Sequence, residues 1–229
     1  MPDGGPGCDP GCGCRGNEFG EATAKRDLRA YRKNGPGTTT RWLIEGLEAG
    51  GVEGLTVLDI GAGVGAVHQQ LLADGAASAI DVDGSAAFVA AARTEATVRG
   101  TIERIRYEVG DFVDLAPEIE DSDLVALDRV ICCYPDMVSL VRLSVAHARR
   151  RYGLVYPRDT WWIRAGARFM NGIARLTRQR VRAHVHRTVD VEAIIRDAGL
   201  VARLRRRGLF WQVAVYERGV RLGAAGSPA

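Results

Sequence analysis

The run Thr56-Val57-Leu58-Asp59-Ile60-Gly61-Ala62-Gly63-Val64-Gly65 joins an apolar segment to a cluster of glycines. Glycine has no Cβ to hold the backbone away from a ligand. A helix starting just beyond offers N–H donors that have no partner inside it. A nucleotide-like ligand seated on that turn is the chemistry such a run can do. The spacing is G-x-G-x-G, with Ala66 where a dinucleotide fingerprint has its third glycine, so the G-x-G-x-x-G pattern is not met. Further acids close later apolar runs: Asp83 after Ala79-Ile80-Asp81-Val82, Asp111 after Tyr107-Glu108-Val109-Gly110, and Asp128 after Leu124-Val125-Ala126-Leu127. A carboxylate can accept two hydrogen bonds from a vicinal diol, and charge-assisted bonds are the stronger kind.

In this order the motifs resemble the class I S-adenosylmethionine-dependent methyltransferases, whose first motif reads hydrophobic-Leu-Asp-hydrophobic-Gly-x-Gly-x-Gly. The resemblance runs over roughly residues 37–217. It implies S-adenosylmethionine as cofactor, with Asp59, Gly61, Ala62 and Gly63 in the first motif. In that family an acid ending the second strand holds the ribose hydroxyls. Asp83-Gly84-Ser85 matches the family's Asp-x-Ser pattern, which favours Asp83 over Asp81. The pair Gly110-Asp111 and the following Phe112 correspond to the family's adenine contacts, the Asp111 carboxylate accepting from the exocyclic amine and the Phe112 backbone meeting the ring. Asp128 would meet the methionine ammonium, and Arg129 its carboxylate or an anionic substrate; the alternative is that the two pair with each other. Many members carry a His pair where Cys132 and Cys133 stand, which argues against a His base there. The stretch Leu127–Ile131 before Tyr134-Pro135 resembles, in part, enzymes that methylate a porphyrin propionate.

The elements that must position these residues follow from periodicity. Short apolar runs near 55–60, 78–82, 104–109, 123–131 and 153–156 alternate with helical patterns. Val201–Arg207 and Leu209–Glu217 form two adjacent strand-like runs. This is an α/β chain with a doubly wound, mostly parallel sheet closed by an antiparallel hairpin, as the resemblance also implies. In such sheets ligands bind beyond the carboxyl ends of the strands. Residues 1–16 read as a flexible Cys/Gly/Pro tail, 17–50 as an N-terminal helical lid, and 51–229 as the methyltransferase-like domain. Helices are expected over 19–33 and after a cap at Thr38, Thr39 or Thr40; 160–182 is expected as a helical substrate cap within 157–187.

Charge is uneven: residues 141–229 hold 19 arginines and 5 acids, although the net charge is only +3. Such asymmetry suits an anionic-substrate pocket or a nucleic-acid surface, or is a solvated face with a compositional preference for Arg, as at Arg149-Arg150-Arg151, expected to be helical. No apolar run approaches the roughly 20 residues that span a bilayer, and the first residues lack a secretory pattern, so a cytoplasmic protein is expected. Cys8, Cys12 and Cys14 are close enough for a soft metal or a labile disulfide, but no fourth ligand is set by spacing, and no metal is assigned. Methyl transfer is an in-line displacement, so alignment supplies much of the acceleration and a general base is optional. Tyr134, Tyr156 and His186 are the candidates near the methyl group. Tyr31, Arg158, Trp161, Trp162 and Arg164 are the candidates for holding a small, planar, anionic acceptor, with O-methylation favoured. The rivals are an RNA methyltransferase and a non-catalytic cofactor-binding or metal-thiolate accessory protein.

Overall fold

The computed structural model describes residues 19–177 and 183–219. The Cys8, Cys12 and Cys14 cluster lies outside them. The element order is α1 (Glu21–Asn34), α2 (Thr38–Glu48), β1 (Thr56–Ile60), α3 (Ala66–Ala73), β2 (Ser78–Asp83), α4 (Ala86–Arg99), β3 (Ile105–Val109), α5 (Phe112–Leu115), β4 (Ser122–Asp128), α6 (Met137–Ala146), β5 (Ala148–Pro157), α7 (Trp161–Leu176), α8 (Thr188–Asp197), β6 (Leu200–Arg207) and β7 (Trp211–Arg218). The seven strands form one sheet in the order β3-β2-β1-β4-β5-β7-β6. The first five are parallel, and β7 runs antiparallel to both β5 and β6. This is the expected doubly wound sheet with its closing hairpin.

Both faces of the sheet are covered, which is why the strands read as continuous apolar runs. One layer packs Leu43 and Leu47 of α2 and Val67 and Leu71 of α3 on Val57, Leu124 and Val215. The other packs α6 and α8, through Leu140, Val141, Val191 and Ile195, on Leu58, Leu127, Tyr152 and Tyr156. Helix α1 lies outside this sandwich and rests on α4: Ala24, Leu28 and Tyr31 meet Phe88 and Ala91, and Arg32 pairs with Glu95 at 2.7 Å.

Three expectations are corrected. Strand β4 ends at Asp128, not near residue 131, because the chain turns there through Arg129, whose φ of 63° is the left-handed region that non-glycine residues avoid. Arg149, Arg150 and Arg151 are strand residues of β5. The Arg151 side chain is buried and donates to the carbonyls of Leu47 and Gly51, stitching the end of α2 to the sheet. Helix α2 takes Gly37 as its N-cap residue, with no side-chain cap, so the threonine run is inside the helix.

Candidate functional site

The β1–α3 turn needs its glycines for different reasons. Gly61, Gly63 and Gly65 all have φ between 59° and 80°. A Cβ on Gly61 would lie 2.6 Å from Val130, and one on Gly65 equally close to His68. At Gly63 the nearest atom would be Phe88 at 3.9 Å, because this residue faces a cleft. Helix α3 begins there without a side-chain cap, so the positive end of its dipole borders the same space.

The acids at the strand ends are held by neighbouring groups, Asp83 and Asp111 by backbone N–H donors and Asp128 by side chains. Asp83 accepts from Gly63 N at 2.9 Å and Ser85 N at 2.8 Å, one bond to each oxygen. Each oxygen keeps a second lone pair, which is what a vicinal diol requires. Burial raises the Asp83 pKa, and the two N–H bonds work against that. Asp111 caps α5 through Val113 N and accepts the Tyr134 hydroxyl, at 2.9 and 3.0 Å from its two oxygens. Asp128 accepts from the Thr40 hydroxyl at 2.6 Å and from Arg129 Nε at 3.1 Å. The pairing of Asp128 with Arg129 weighed on the sequence is therefore present, with Thr40 added.

These groups line one cleft of about 960 Å³, at the upper end of the range for ligand pockets. Its walls carry the rings of Phe19, Tyr31, Phe88, Tyr134 and Trp211. Among the described residues six carboxylates border it, Asp27, Asp83, Asp111, Asp114, Asp128 and Asp136, against one cation, Arg129. A site of this sign favours a cationic ligand. Among the described residues, no histidine lines it.

The cleft brings together Gly61, Ala62, Gly63, Asp83, Gly84, Asp111, Asp128, Arg129, Tyr134 and Tyr31 from the sequence expectations. Others stand elsewhere. Asp59 is buried beneath the turn and accepts from His68 N and His68 Nδ1, at 3.3 and 3.0 Å, so it supports the loop instead of touching a ligand. Ser85 caps α4 and donates to the Phe19 carbonyl, and Gly110 N bonds the Asp83 carbonyl. The Phe112 side chain is in the core, edge-on to His147. Tyr156 is 1 % exposed, and burial drives its pKa up beyond the range of a useful acid or base, so its candidacy near the methyl group is withdrawn. Tyr134 is in the cleft, but its hydroxyl is committed to Asp111, which puts it at the β3 end. His186 Nε2 meets the Ile131 carbonyl at 2.9 Å, its ring stacks on His184, and burial lowers its pKa; it props the loop behind the cleft.

The proposed acceptor contacts are displaced further. Arg158 donates to the carbonyls of Gly208 and Leu209, closing the β6–β7 turn. Trp162 packs edge-on to Phe210 at 5.3 Å, while Trp161 and Arg164 are exposed on α7. Sequence reasoning missed Asp27, Thr40 and Trp211. Trp211 was findable: β7 is antiparallel to β5, so its first residue pairs with Pro157 at the carboxyl end of the parallel strands.

A buried polar cluster underlies the turn. Asp59 and Asp81 are register partners on β1 and β2, with His68 beside both. His68 Nε2 is 4.0 Å from Asp81, beyond hydrogen-bond distance, and among the described residues neither Asp81 oxygen has a hydrogen-bond partner. Burial, then the charges of Asp59 and Asp83, hold the Asp81 pKa well above its ordinary value. Asp81 is a fully buried group behind the turn, which physically separates it from the anchored, cleft-facing Asp83.

Residues 57–150 match the family model of a methyltransferase domain. No curated protein matches the chain by sequence. Among solved structures, magnesium protoporphyrin IX methyltransferase from Synechocystis PCC 6803 with bound S-adenosylhomocysteine is 22 % identical, with a TM-score of 0.69 over 89 % of this chain and 97 % of that one. A geranyl diphosphate methyltransferase in complex with geranyl diphosphate and sinefungin is 16 % identical, TM-score 0.65, over 88 % and 85 %. A candidate methyltransferase in complex with the Haloferax volcanii Trm112 activator is also 16 % identical, TM-score 0.66, over 88 % and 96 %. At these identities the likeness is one of fold.

Proposed function

From the premise that this chain is a class I methyltransferase using S-adenosylmethionine, we propose that it methylates an oxygen of a small, planar acceptor bound in the cleft between α1 and the loop after β4. The observation that carries this reading is the convergence of Gly63, Asp83, Asp111 and Asp128 on one aromatic-walled space. The residues present fit the cofactor. Asp83 would offer lone pairs to the ribose diol, Asp111 and the backbone after it would hold the adenine, and Asp128 would pair with the ammonium. The cofactor supplies a methyl group already activated by its sulfonium. The chain's part is to orient the nucleophile, shield the site with Tyr31 and Trp211, and place carboxylates where positive charge resides.

The anionic part of the sequence expectation is not carried forward, because Arg158, Trp161, Trp162 and Arg164 do not line the cleft and six aspartates do. A hydroxyl of the phenol or enol kind suits this site: it donates to a carboxylate and is acidic enough to lose its proton as the new bond forms. A carboxylate acceptor is the second reading despite the acidic lining: it would have to sit at Arg129, the cation of the cleft among the described residues, and it attacks without a general base. Nucleic acid is less suited: Arg203, Arg205 and Arg206 of the basic β6 strand are paired with Glu217, Glu192 and Glu45. We also propose residues 19–37 as the flap that covers a bound acceptor, since Phe19 and Tyr31 supply one wall.

The test is production of S-adenosylhomocysteine from pools of phenols, enols and planar carboxylates. With a hydroxyl acceptor, kcat/KM should rise with pH towards the acceptor's own pKa; with a carboxylate it should be flat across neutral pH. Turnover on RNA alone would sink the small-molecule reading.

A further inference from the structure

Helix α7 is attached by a narrow face. Ile163 and Ala174 are buried, and Asn171 exchanges two 2.8 Å bonds with the backbone of Ala183. Most of its other apolar residues point to solvent: Trp161 is 77 % exposed, Phe169 72 %, Met170 64 % and Leu176 86 %. At about 100° per residue these side chains span roughly half the helix circumference. Exposed Leu209 and Phe210, the latter against Trp162, extend the patch across the β6–β7 turn. Along one edge of the arc stand Arg164, Arg168 and Arg175, all exposed. The described residues 160–177 and 183–189 contain no Asp or Glu at all.

We propose that this face docks on the surface of a membrane containing anionic lipid, with α7 lying in the interface. An exposed apolar arc of this breadth is rarely left to water, and arginines at its edge match acidic head groups while their stems run along the acyl boundary. Sixteen residues make a helix of about 24 Å, short of a roughly 30 Å hydrocarbon core, so it lies on the bilayer and does not cross it. Nucleic acid would use the arginines but gains nothing from Met170, Ile173 and Leu176. A second copy docked face to face would oppose two arginine rows with no carboxylate on either. The face is linked to the cleft wall: His184 N, next to the residue that holds Asn171, donates to the Cys132 carbonyl at 2.7 Å, and Cys132 lines the cleft. The inference does not depend on the acceptor class proposed above.

Flotation of the full chain with phosphatidylcholine vesicles, with and without phosphatidylglycerol, tests it. The chain should float with the anionic vesicles and remain below with the neutral ones. Phe169→Ser combined with Leu176→Ser should lower the partition coefficient roughly tenfold, and Arg168→Gln combined with Arg175→Gln by a similar factor. Both pairs are exposed, so S-adenosylhomocysteine binding should be unchanged in each and serves as the check of folding. The proposal is overturned if the anionic vesicles fail to bind the chain, or if both pairs float like the parent. It is equally overturned if Phe169→Ser with Leu176→Ser abolishes a self-associated form seen by ultracentrifugation while no vesicle binding occurs, or if only an RNA homopolymer is bound.

Discussion

The strand ends between β1 and β4 and the segment that carries α7 are opposites in charge, burial and order of recognition. The first gathers carboxylates around an enclosed space; the second displays arginines and apolar side chains to solvent. At the strand ends each of three carboxylates is fixed by neighbouring groups: Asp83 by two backbone N–H groups, Asp111 by its cap, Asp128 by the Thr40 hydroxyl and the Arg129 guanidinium. On α7 the arginines are exposed and have no such fixing among the bonds of the described residues. A charge held in place by its own loop can bind a ligand of one shape. A charge on a free stem reads only the sign of a surface.

If that contrast holds, the largest effect belongs to the turn. Gly61→Ala must adopt φ near 63° and displace Val130. The backbone strain is about 1–2 kcal/mol and the overpacking about 1–3 kcal/mol. Thermal melting should fall and calorimetric binding of S-adenosylhomocysteine should collapse. A variant that melts and binds like the parent would mean the turn tolerates a side chain.

Next is Asp83→Ala, which removes the acceptor of the diol and should weaken S-adenosylhomocysteine binding by about 1.5–3 kcal/mol, the range for bonds to a charged group. Asp83 must be ionised to act, and its raised pKa means that affinity falls on acidification before an ordinary aspartate would protonate. Asp81→Ala producing the larger loss would reverse the assignment of the two residues.

What was legible in the sequence follows the same divide. The placement of the glycines, Asp83 and Asp111 at one cleft could be read because it comes from local chain geometry, a strand end, a cap or a left-handed turn, whereas the end of β4 at Asp128 could not. Helix α4 was also legible, since Ser85 caps it and Gly100 ends it in the left-handed region. Asp59 and Tyr156 were misread because burial depends on which helix packs above a strand residue, and the one-dimensional pattern does not carry that. Trp161, Trp162 and Arg164 were misread for another reason: aromatics and arginines at helical spacing fit a pocket wall and an exposed interfacial face equally well. Only the direction in which α7 leaves the sheet separates the two.

A smaller effect should come from Asp81→Asn. The pKa of Asp81 in the fold lies above the 3.8 of the free side chain, so the folded state retains a proton that the unfolded chain has lost. The stability linked to that proton is complete below pH 3.8 and is lost as pH rises through the folded value. Asparagine keeps the shape of the neutral acid without a proton to lose. The variant should therefore lose less stability between acidic and neutral pH than the parent does, as followed by thermal melts across that range. Equal slopes in the two proteins would show Asp81 ionised in the fold, with His68 as its partner.

The smallest effect is expected on α7, where the sequence offered Arg164 as an acceptor contact and Arg168 stands about one turn further on. Arg164→Lys and Arg168→Lys retain charge and lose the bidentate fork that would align an anionic acceptor. Neither residue lines the cleft, and both stand exposed on α7. With a soluble acceptor and no vesicles present, kcat and KM should both match the parent, because neither the nucleophile nor the cofactor touches these side chains. A rise in KM with kcat unchanged would mean that α7 folds over the bound acceptor and adds uniform binding; a fall in kcat would mean that it aligns the reacting atoms as well. Either outcome would erase the contrast between the acidic cleft and the basic helix, and would return the arginines to the active site.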